Sequence, residues 1–254
     1  MTRGTYLKLI ASMIVLTIVS SIVMVEIDWN GFAASKEAGP IDKLLDVMIV
    51  LSCFVFAIVM VMFIYAIWKY RAKPGDESDG EPIHGNTKLE IAWTLIPTII
   101  VLFGAAYSWA ILDDIEEAVP ASEQLQVNVT AQQFAWTFEY PDEGVTSTEL
   151  HVPVDTQLDL HLTALDVIHS FWVPEWRIKR DLVPQGPGGD EVDDTVQVTP
   201  TEEGTYNVVC TEYCGAGHAT MRALVQVHTQ EDFDAWVEEQ TADPAAGGAE
   251  EEPE

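Results

Sequence analysis

Three long apolar runs constrain this chain more than any other feature, because segments of that length and hydropathy belong in a membrane. They cover residues 7–25, 47–67 and 91–112. Each approaches the roughly 20 residues that an α-helix needs to cross the hydrocarbon core of a bilayer. We therefore predict a hairpin of two transmembrane helices within residues 41–115, preceded by another apolar segment.

The first apolar run has two interpretations. It follows Arg3 and Lys8 and precedes a stretch with small residues, as a cleaved secretory signal does, but it is long for the apolar core of a signal. Residues 1–40 are therefore predicted to be either a signal peptide or an additional N-terminal transmembrane helix. The membrane anchor has two helices, or three if this segment is retained.

Basic residues set the predicted orientation of the anchor. Lys69, Arg71, Lys73 and Lys88 lie between the second and third apolar runs, and loops rich in Lys and Arg stay on the cytoplasmic side of a membrane. The chain after residue 112 is then external. The protein is predicted to be a multi-pass protein of the cell membrane, in contact with membrane lipid.

The external part is strongly acidic. The whole chain has a formal net charge of −29, and the basic residues of the external part are Arg177, Lys179, Arg180 and Arg222. A surface of this sign repels phosphate backbones, so nucleic acid is not expected as a partner. The acidity has two interpretations. It either attracts a cationic partner or forms a solvated surface that is suited to molar salt. Its spread over the external part favours the second interpretation and predicts a halophilic archaeon as the source.

The sequence pattern changes after Gln124. Short runs in which apolar and polar residues alternate, such as 125–129 and 158–162, are separated by Pro and Gly, which is typical of half-buried antiparallel strands. Residues 120–230 are therefore predicted to form an all-β sandwich. Residues 231–254 form a predicted acidic tail.

The segment CTEYCGAGHATM concentrates potential metal ligands in one short loop. Its Cys214, His218 and Met221, together with a distant His169, make the ligand set of a mononuclear blue-copper site. Cys210 adds a second thiolate that can bridge, so that two sulfurs hold two copper ions with one histidine on each. The residue types therefore favour copper.

Two other interpretations of the cysteines stay open at this point. An exported cysteine pair can form a disulfide, and two cysteines with two histidines can bind zinc. A disulfide leaves His218 and Met221 without a role, and this spacing within one tight loop is uncommon for zinc. Cys53, within an apolar run, is predicted to be a buried core thiol. The remaining histidines are predicted to be surface or hydrogen-bonded imidazoles, namely His84, His151, His161 and His228.

Three separated motifs resemble those of one known family. DVIHSFWVPEWRIKRD (166–181), CTEYCGAGHATM (210–221) and NTKLEIAWTLIPTII (86–100) are similar to segments of subunit II of the haem-copper cytochrome c oxidases. The resemblance extends from about residue 41 to residue 227. It implies that the sandwich is an external, cupredoxin-like Greek-key domain that bears a binuclear copper centre, called CuA.

The resemblance also implies a role for each ligand. Cys210 and Cys214 bridge the two coppers, and His169 and His218 bind one copper each. The remaining ligands are the thioether of Met221 and the backbone carbonyl of Glu212. In the family, the side chain of the matching Glu also reaches a magnesium or manganese ion at the boundary with subunit I.

Two further roles concern protons and electrons. Glu90 is similar to a carboxylate at the mouth of a proton channel into subunit I. The aromatic segment QQFAWTFEY (132–140) departs from the usual pattern, because Phe134 stands where the tryptophan that accepts the electron is expected, whereas Trp136 is retained. The electron-entry candidates are therefore Phe134 and Trp136.

The implied function is electron relay in a respiratory terminal oxidase. A soluble carrier, either cytochrome c or a blue-copper protein, gives one electron to the copper pair, and haem in subunit I receives it for the reduction of oxygen to water. Subunit I and subunit III are the expected partners, and the isolated chain is not expected to reduce oxygen. The alternatives are a quinol-oxidase subunit, which lacks the thiolates, a nitric oxide reductase-type enzyme with CuA, and a nitrous oxide reductase.

Overall fold

A computed structural model describes residues 2–72, 74–75, 79–80, 82, 84–184 and 194–242 of the chain. Lys73 and residues 243–254 of the predicted acidic tail lie outside these residues. The chain divides into two compact units. One contains the residues up to Trp29 and Asp42–Leu112, and the other contains Asn30–Ile41 and the chain from Asp113 onward.

Three apolar helices form the first part of the chain. They are α1 (Arg3–Val25), α2 (Ala38–Lys69) and α3 (Thr87–Ile115). All three are long and apolar enough to cross a membrane. Most of their large side chains are exposed, as expected for surfaces that face lipid, whereas Cys53 is buried. The two predicted transmembrane helices and a further apolar N-terminal helix are thus present, and Cys53 is the buried thiol that the sequence predicted.

Among the residues that the structure describes, ten strands and one α-helix follow. The strands are β1 (Leu125–Gln132), β2 (Ala135–Tyr140), β3 (Val145–Ser147), β4 (Leu150–Pro153), β5 (Leu158–Ala164), β6 (His169–Val173), β7 (Ile178–Leu182), β8 (Thr195–Val198), β9 (Gly204–Cys210) and β10 (Arg222–His228). Helix α4 spans Gln230–Ala242. The strands form two five-stranded sheets, with the orders β3-β2-β1-β5-β8 and β4-β10-β9-β6-β7.

Alternating apolar residues build the core between the sheets. Val127 and Val129 of β1 are fully buried, as are Leu158 and Leu160 of β5, because alternate side chains of a strand point to the same face. The predicted sandwich is therefore confirmed.

The expectation of antiparallel pairing is wrong for two strand pairs. β1 pairs with β5 in parallel, and β4 pairs with β10 in parallel. The reason is the crossing of the chain between sheets. β2 and β3 stay in the sheet of β1, β4 joins the opposite sheet, and the chain then returns to place β5 beside β1. The alternation of apolar and polar residues within a strand carries no information about this crossing between sheets.

The unit that contains the strands is called the external unit below. The segment Asn30–Ile41, which we call the strap, belongs to it. The Ala34 N–H donates to the Glu175 carbonyl at 2.8 Å, and the Ser35 hydroxyl donates to the Trp176 carbonyl at 3.0 Å. Both oxygens of the buried Glu37 carboxylate accept from the Thr199 N–H, at 3.1 and 3.2 Å. The strap is therefore an integral part of the sandwich, although the sandwich strands begin more than eighty residues later.

Helix α4 packs on the sandwich through a stack of rings. The His151 ring stacks on the Trp236 ring, with centroids 4.2 Å apart, and lies beside the nearly parallel His228 ring, with centroids 5.1 Å apart. His151 Nδ1 and His228 Nε2 are hydrogen-bonded at 2.9 Å. These two histidines are thus hydrogen-bonded imidazoles, as the sequence predicted. The side chain of Trp236 also packs edge-on against Tyr140.

We expect this stack to lose stability in acid. Burial, and to a lesser extent the charge of His228, lowers the pKa of His151 from 6.5 to about 4, and burial also lowers the pKa of His228. Since the unfolded chain binds more protons below pH 6.5, the stabilisation by neutral His151 is lost as the pH falls from about 6.5 towards 4. The midpoint of thermal unfolding should fall by about 5 °C more than in the variant His151→Phe over this range.

Tryptophan fluorescence of the full chain in detergent measures this difference. His151→Phe keeps an aromatic ring against Trp236 but cannot gain a proton, so it separates the titration of His151 from that of the acidic surface. An equal fall of the unfolding midpoint in both proteins would contradict the prediction.

Candidate metal centre

The ligand loop, residues 211–221, connects two neighbouring strands of one sheet. β9 ends at Cys210 and β10 begins directly after Met221, and the Cys210 N–H donates to the Met221 carbonyl at 3.2 Å, which closes the loop at its base. His169 is the first residue of β6, which pairs with β9 so that Phe171 lies opposite Cys210. The sheet therefore brings His169 to the loop from a point forty residues earlier in the chain.

The donor atoms near Cys210 form one half of the site. Cys210 Sγ lies 3.9 Å from His169 Nδ1, 3.3 Å from the Glu212 carbonyl oxygen and 3.8 Å from Cys214 Sγ. The ligand atoms of His169, Cys210 and Cys214 all lie within 4.8 Å of one another, and all three residues are buried. This group has the composition and spacing of a metal site.

The donor atoms near Cys214 form the other half. Cys214 Sγ lies 3.7 Å from His218 Nδ1 and 3.8 Å from Met221 Sδ. Met221 is fully buried, whereas His218 is half-buried. The two thiols are free, and their separation of 3.8 Å is far from the sulfur–sulfur bond length of about 2 Å in a disulfide. The two sulfurs thus have one imidazole on each side, together with a carbonyl on one side and a thioether on the other.

A carboxylate orients His169. His169 Nε2 lies 2.8 Å from Asp166 Oδ1, and because a carboxylate only accepts hydrogen bonds, the proton of the imidazole is on Nε2. Nδ1 then keeps its lone pair towards Cys210, as metal binding requires. Burial acts to raise the pKa of Asp166, but hydrogen bonds from His169 and from the N–H groups of Gln133 and Val167 outweigh it and lower this pKa.

We expect the variant Asp166→Asn to weaken copper binding by about 10- to 100-fold, because an amide does not hold the imidazole in this tautomer as a carboxylate does. Competition with a chelator of known copper affinity measures the change. Asp159→Asn, on a strand of the opposite sheet, serves as the control and should bind copper as the parent does. Equal affinities for Asp166→Asn and the parent would contradict the orienting role.

Metal binding in this site is linked to loss of protons. Burial, together with the hydrogen bond and the charge of neighbouring Cys210, raises the pKa of Cys214 to about 11. The metal-free chain therefore keeps this thiol protonated at neutral pH. Binding of a metal as thiolate must displace that proton, so copper loading is expected to release acid.

The aromatic candidates occupy different depths. Trp136 is 2% exposed, and its ring lies edge-on to the rings of His169 and Phe171, with centroids 6.4 and 6.0 Å away. Phe134 is 39% exposed and its ring lies against Gly215 and Gly217 of the ligand loop.

Sequence reasoning missed a third aromatic residue at the site. Tyr213 is 77% exposed, and its ring lies edge-on to the ring of His218 with centroids 5.7 Å apart. The residue stands between Glu212 and Cys214 in the loop, and this position was its only signal in the sequence.

Two further carboxylates, Glu212 and Glu90, have predicted roles. The backbone carbonyl of Glu212 faces Cys210, while its side chain is exposed. Glu90 lies in the first turn of α3, in the other unit, and its Oε1 accepts from the Asn86 N–H at 3.1 Å. This bond caps the start of the helix.

Comparison with protein families covers both parts of the chain. Residues 29–111 match the transmembrane domain of cytochrome c oxidase subunit II, and residues 144–228 match its periplasmic domain. The periplasmic match contains all six predicted ligands, and the transmembrane match contains α2 and most of α3.

Two related subunits and one solved domain are similar to this chain. The chain is 35% identical to cytochrome c oxidase subunit 2 of Thermostichus vulcanus, with 80% of this chain and 76% of that protein covered. It is 32% identical to the same subunit of Synechocystis sp., with 81% and 74% covered. The periplasmic domain of subunit II of cytochrome oxidase from Bradyrhizobium japonicum aligns with a TM-score of 0.42 and 25% identity, over 46% of this chain and 94% of that one.

These findings agree with the donor set, which fits copper because it combines thiolates, imidazoles and a thioether. They place the copper domain outside a membrane that the apolar helices anchor, and they make the haem-bearing subunit I a partner. They do not favour the nitric oxide reductase-type alternative. The chain belongs to the cytochrome c oxidase subunit II family, and it is a subunit of a haem-copper oxidase, an oxidoreductase.

Proposed function

We propose that the site is a binuclear copper centre through which electrons enter the oxidase. Cys210 and Cys214 would hold both coppers, and the other ligands would be His169, His218, Met221 and the Glu212 carbonyl. The observation that carries this proposal is the arrangement of donors around the two sulfurs, with His169 and the Glu212 carbonyl on Cys210 and with His218 and Met221 on Cys214. If the site held a single metal ion, all of these donors would have to surround one point.

The protein residues prepare the site for rapid electron transfer. Two coppers held by Cys210 and Cys214 would supply a one-electron centre whose charge is shared over both metals. The chain contributes burial of both sulfurs and of Met221, which keeps water away, and it fixes His169 through Asp166. Because the protein fixes the positions of its donors, little rearrangement is needed when the site changes its charge.

Electron entry is proposed to involve Phe134 and Trp136 at different stages. Phe134 is the exposed member of the pair, so it is the one that can contact a soluble donor. Trp136 lies inside, against the His169 ring. The donor is either a cytochrome c or a blue-copper protein, and the electron continues to haem in subunit I for the reduction of oxygen to water.

The remaining proposals concern the complex and its ions. The exposed side chain of Glu212 is proposed to reach a magnesium or manganese ion at the boundary with subunit I, and Glu90 to lie at the entrance of a proton channel. Subunit III and membrane lipid are further proposed partners. The protein is proposed to be a multi-pass protein of the cell membrane, and the halophilic source and the fate of residues 7–25 stay predictions.

Copper analysis with electron paramagnetic resonance of the loaded full chain tests the central proposal. Two coppers per chain and a mixed-valence signal, with the hyperfine pattern of two copper nuclei, are expected. One copper with the pattern of a single nucleus would instead indicate an ordinary blue-copper site. Absence of bound copper would return the cysteines to a structural role.

A further inference from the structure

Gln133 contacts both sides of the metal centre although it is not a ligand. It follows β1, and its backbone N–H donates to Asp166 Oδ2 at 2.7 Å. Its side-chain Nε2 donates to the carbonyl oxygen of Cys214 in the ligand loop. The other carboxylate oxygen of Asp166 accepts from His169. A continuous path of hydrogen bonds therefore runs from His169 through Asp166 and Gln133 to Cys214.

The ligand loop is shaped to receive Gln133 and its neighbour Phe134. A Cβ atom on Gly215 would lie 2.8 Å from Gln133 Nε2, and a Cβ atom on Gly217 would lie 2.5 Å from Phe134 Cδ2. Gly215 also has a φ of +137°, which side chains rarely adopt. Both glycines are therefore needed for the close approach of the β1–β2 turn to the loop.

We infer that Gln133 is a positioning residue that holds the ligand loop in its metal-binding geometry before copper arrives. This role depends on the proposed copper centre only for the identity of the metal. The start of β6 supplies His169 and the ligand loop supplies Cys214, and at the base of the loop the Thr211 N–H already donates to the Ser170 carbonyl of β6 at 3.1 Å. Gln133 links them, because its side-chain amide bonds to the Cys214 carbonyl and its backbone N–H bonds to Asp166. Displacement of the loop therefore breaks the bond to Cys214 on the residue that also holds the His169–Asp166 pair.

The neighbouring residue Gln132 provides a matched control. It is also a glutamine and is also exposed, but it belongs to β1, where it pairs with Ala135 of β2. The variants Gln133→Glu and Gln132→Glu add the same charge one residue apart. In Gln133→Glu a carboxylate oxygen faces the Cys214 carbonyl in place of a donor, while the backbone bond to Asp166 is retained. Gln133→Met removes the donor without adding charge.

Amide hydrogen exchange of the copper-free full chain in detergent tests the inference. Both Gln133→Glu and Gln133→Met are expected to exchange about tenfold faster in residues 211–221 than the parent, because loss of the bond opens the loop locally. Gln132→Glu should match the parent. Unchanged exchange in β1 and β5 shows that the sandwich is folded in each variant. Parental exchange of the loop in Gln133→Met would overturn the inference, even if Gln133→Glu exchanges faster, since added charge would then be the cause.

Copper-loaded samples give a second readout. The two Gln133 variants are expected to bind copper about tenfold more weakly and to show altered hyperfine splitting, while the control keeps the parental spectrum. Parental affinity and spectrum in both Gln133 variants would overturn the inference. A parent without a two-copper signal would contradict the proposed function instead, and the exchange result for the metal-free loop would still decide the role of Gln133.

Discussion

Replacement of Cys210 by serine is expected to abolish the two-copper spectrum completely. Cys210 Sγ faces His169, the Glu212 carbonyl and Cys214 Sγ at once, so its loss removes the donor that one half of the site shares with the other. A serine hydroxyl does not ionise at neutral pH and does not replace a bridging thiolate. Electron paramagnetic resonance of the loaded chain should show the pattern of a single copper nucleus or no signal.

A matched control for this experiment is Cys53→Ser. Cys53 is also a buried free thiol, but it lies in α2. This variant should keep both coppers and the mixed-valence signal. A native spectrum in Cys210→Ser would contradict the assignment of the bridging ligands. Loss of the signal in both variants would mean that overall damage to the protein, and not loss of a bridge, explains the result.

The variant Phe138→Ala is expected to destabilise the external unit by about 3–5 kcal/mol, the usual cost of removing a large aromatic side chain from a core. Phe138 is fully buried between the sheets, and its strand β2 pairs with β1 on one side and β3 on the other. Since a domain of this size is stabilised by only about 5–15 kcal/mol in total, much of the fold stability would be lost.

Urea unfolding of the full chain in detergent, followed by tryptophan fluorescence, measures this effect. Glu139→Ala is the control, because Glu139 is the next residue of the same strand and is exposed. It should change the free energy of unfolding by less than about 0.5 kcal/mol. A loss below about 1 kcal/mol in Phe138→Ala would mean that the sheets do not pack around this ring.

The fold was largely predictable because its signals are local. Runs of apolar residues predict the helices, and alternation in β1 and β5 predicts which side chains are buried. Strand direction was not predictable in the same way. The parallel pairings of β1 with β5 and of β4 with β10 depend on where the chain changes sheets, and no pattern within a strand records that choice. The strap was missed for a related reason, since Ala34 and Glu37 find their partners far along the chain.

The candidate site was predictable where its chemistry is concentrated in one loop. Cys210, Cys214, His218 and Met221 lie within a few residues of one another, and His169 was found through its similarity to a family segment. Residues that support these ligands gave weaker signals. Asp166, three residues before His169, could have been suspected from its spacing, but the role of Gln133 depends on contacts among three separate loops, which only a folded chain displays.

The strap has a consequence for how the chain can be cut. A soluble fragment that starts at Gln124 contains all the ligands, but it lacks the Glu37 carboxylate that accepts from the Thr199 N–H and lacks the backbone that bonds to Glu175. The same limit on where the chain can be cut applies to cleavage by a signal peptidase. Cleavage before Asn30 would release α1 and spare the domain, whereas cleavage a few residues later would remove part of its packed surface. The external unit is therefore discontinuous in the sequence, and its first residues precede helix α2.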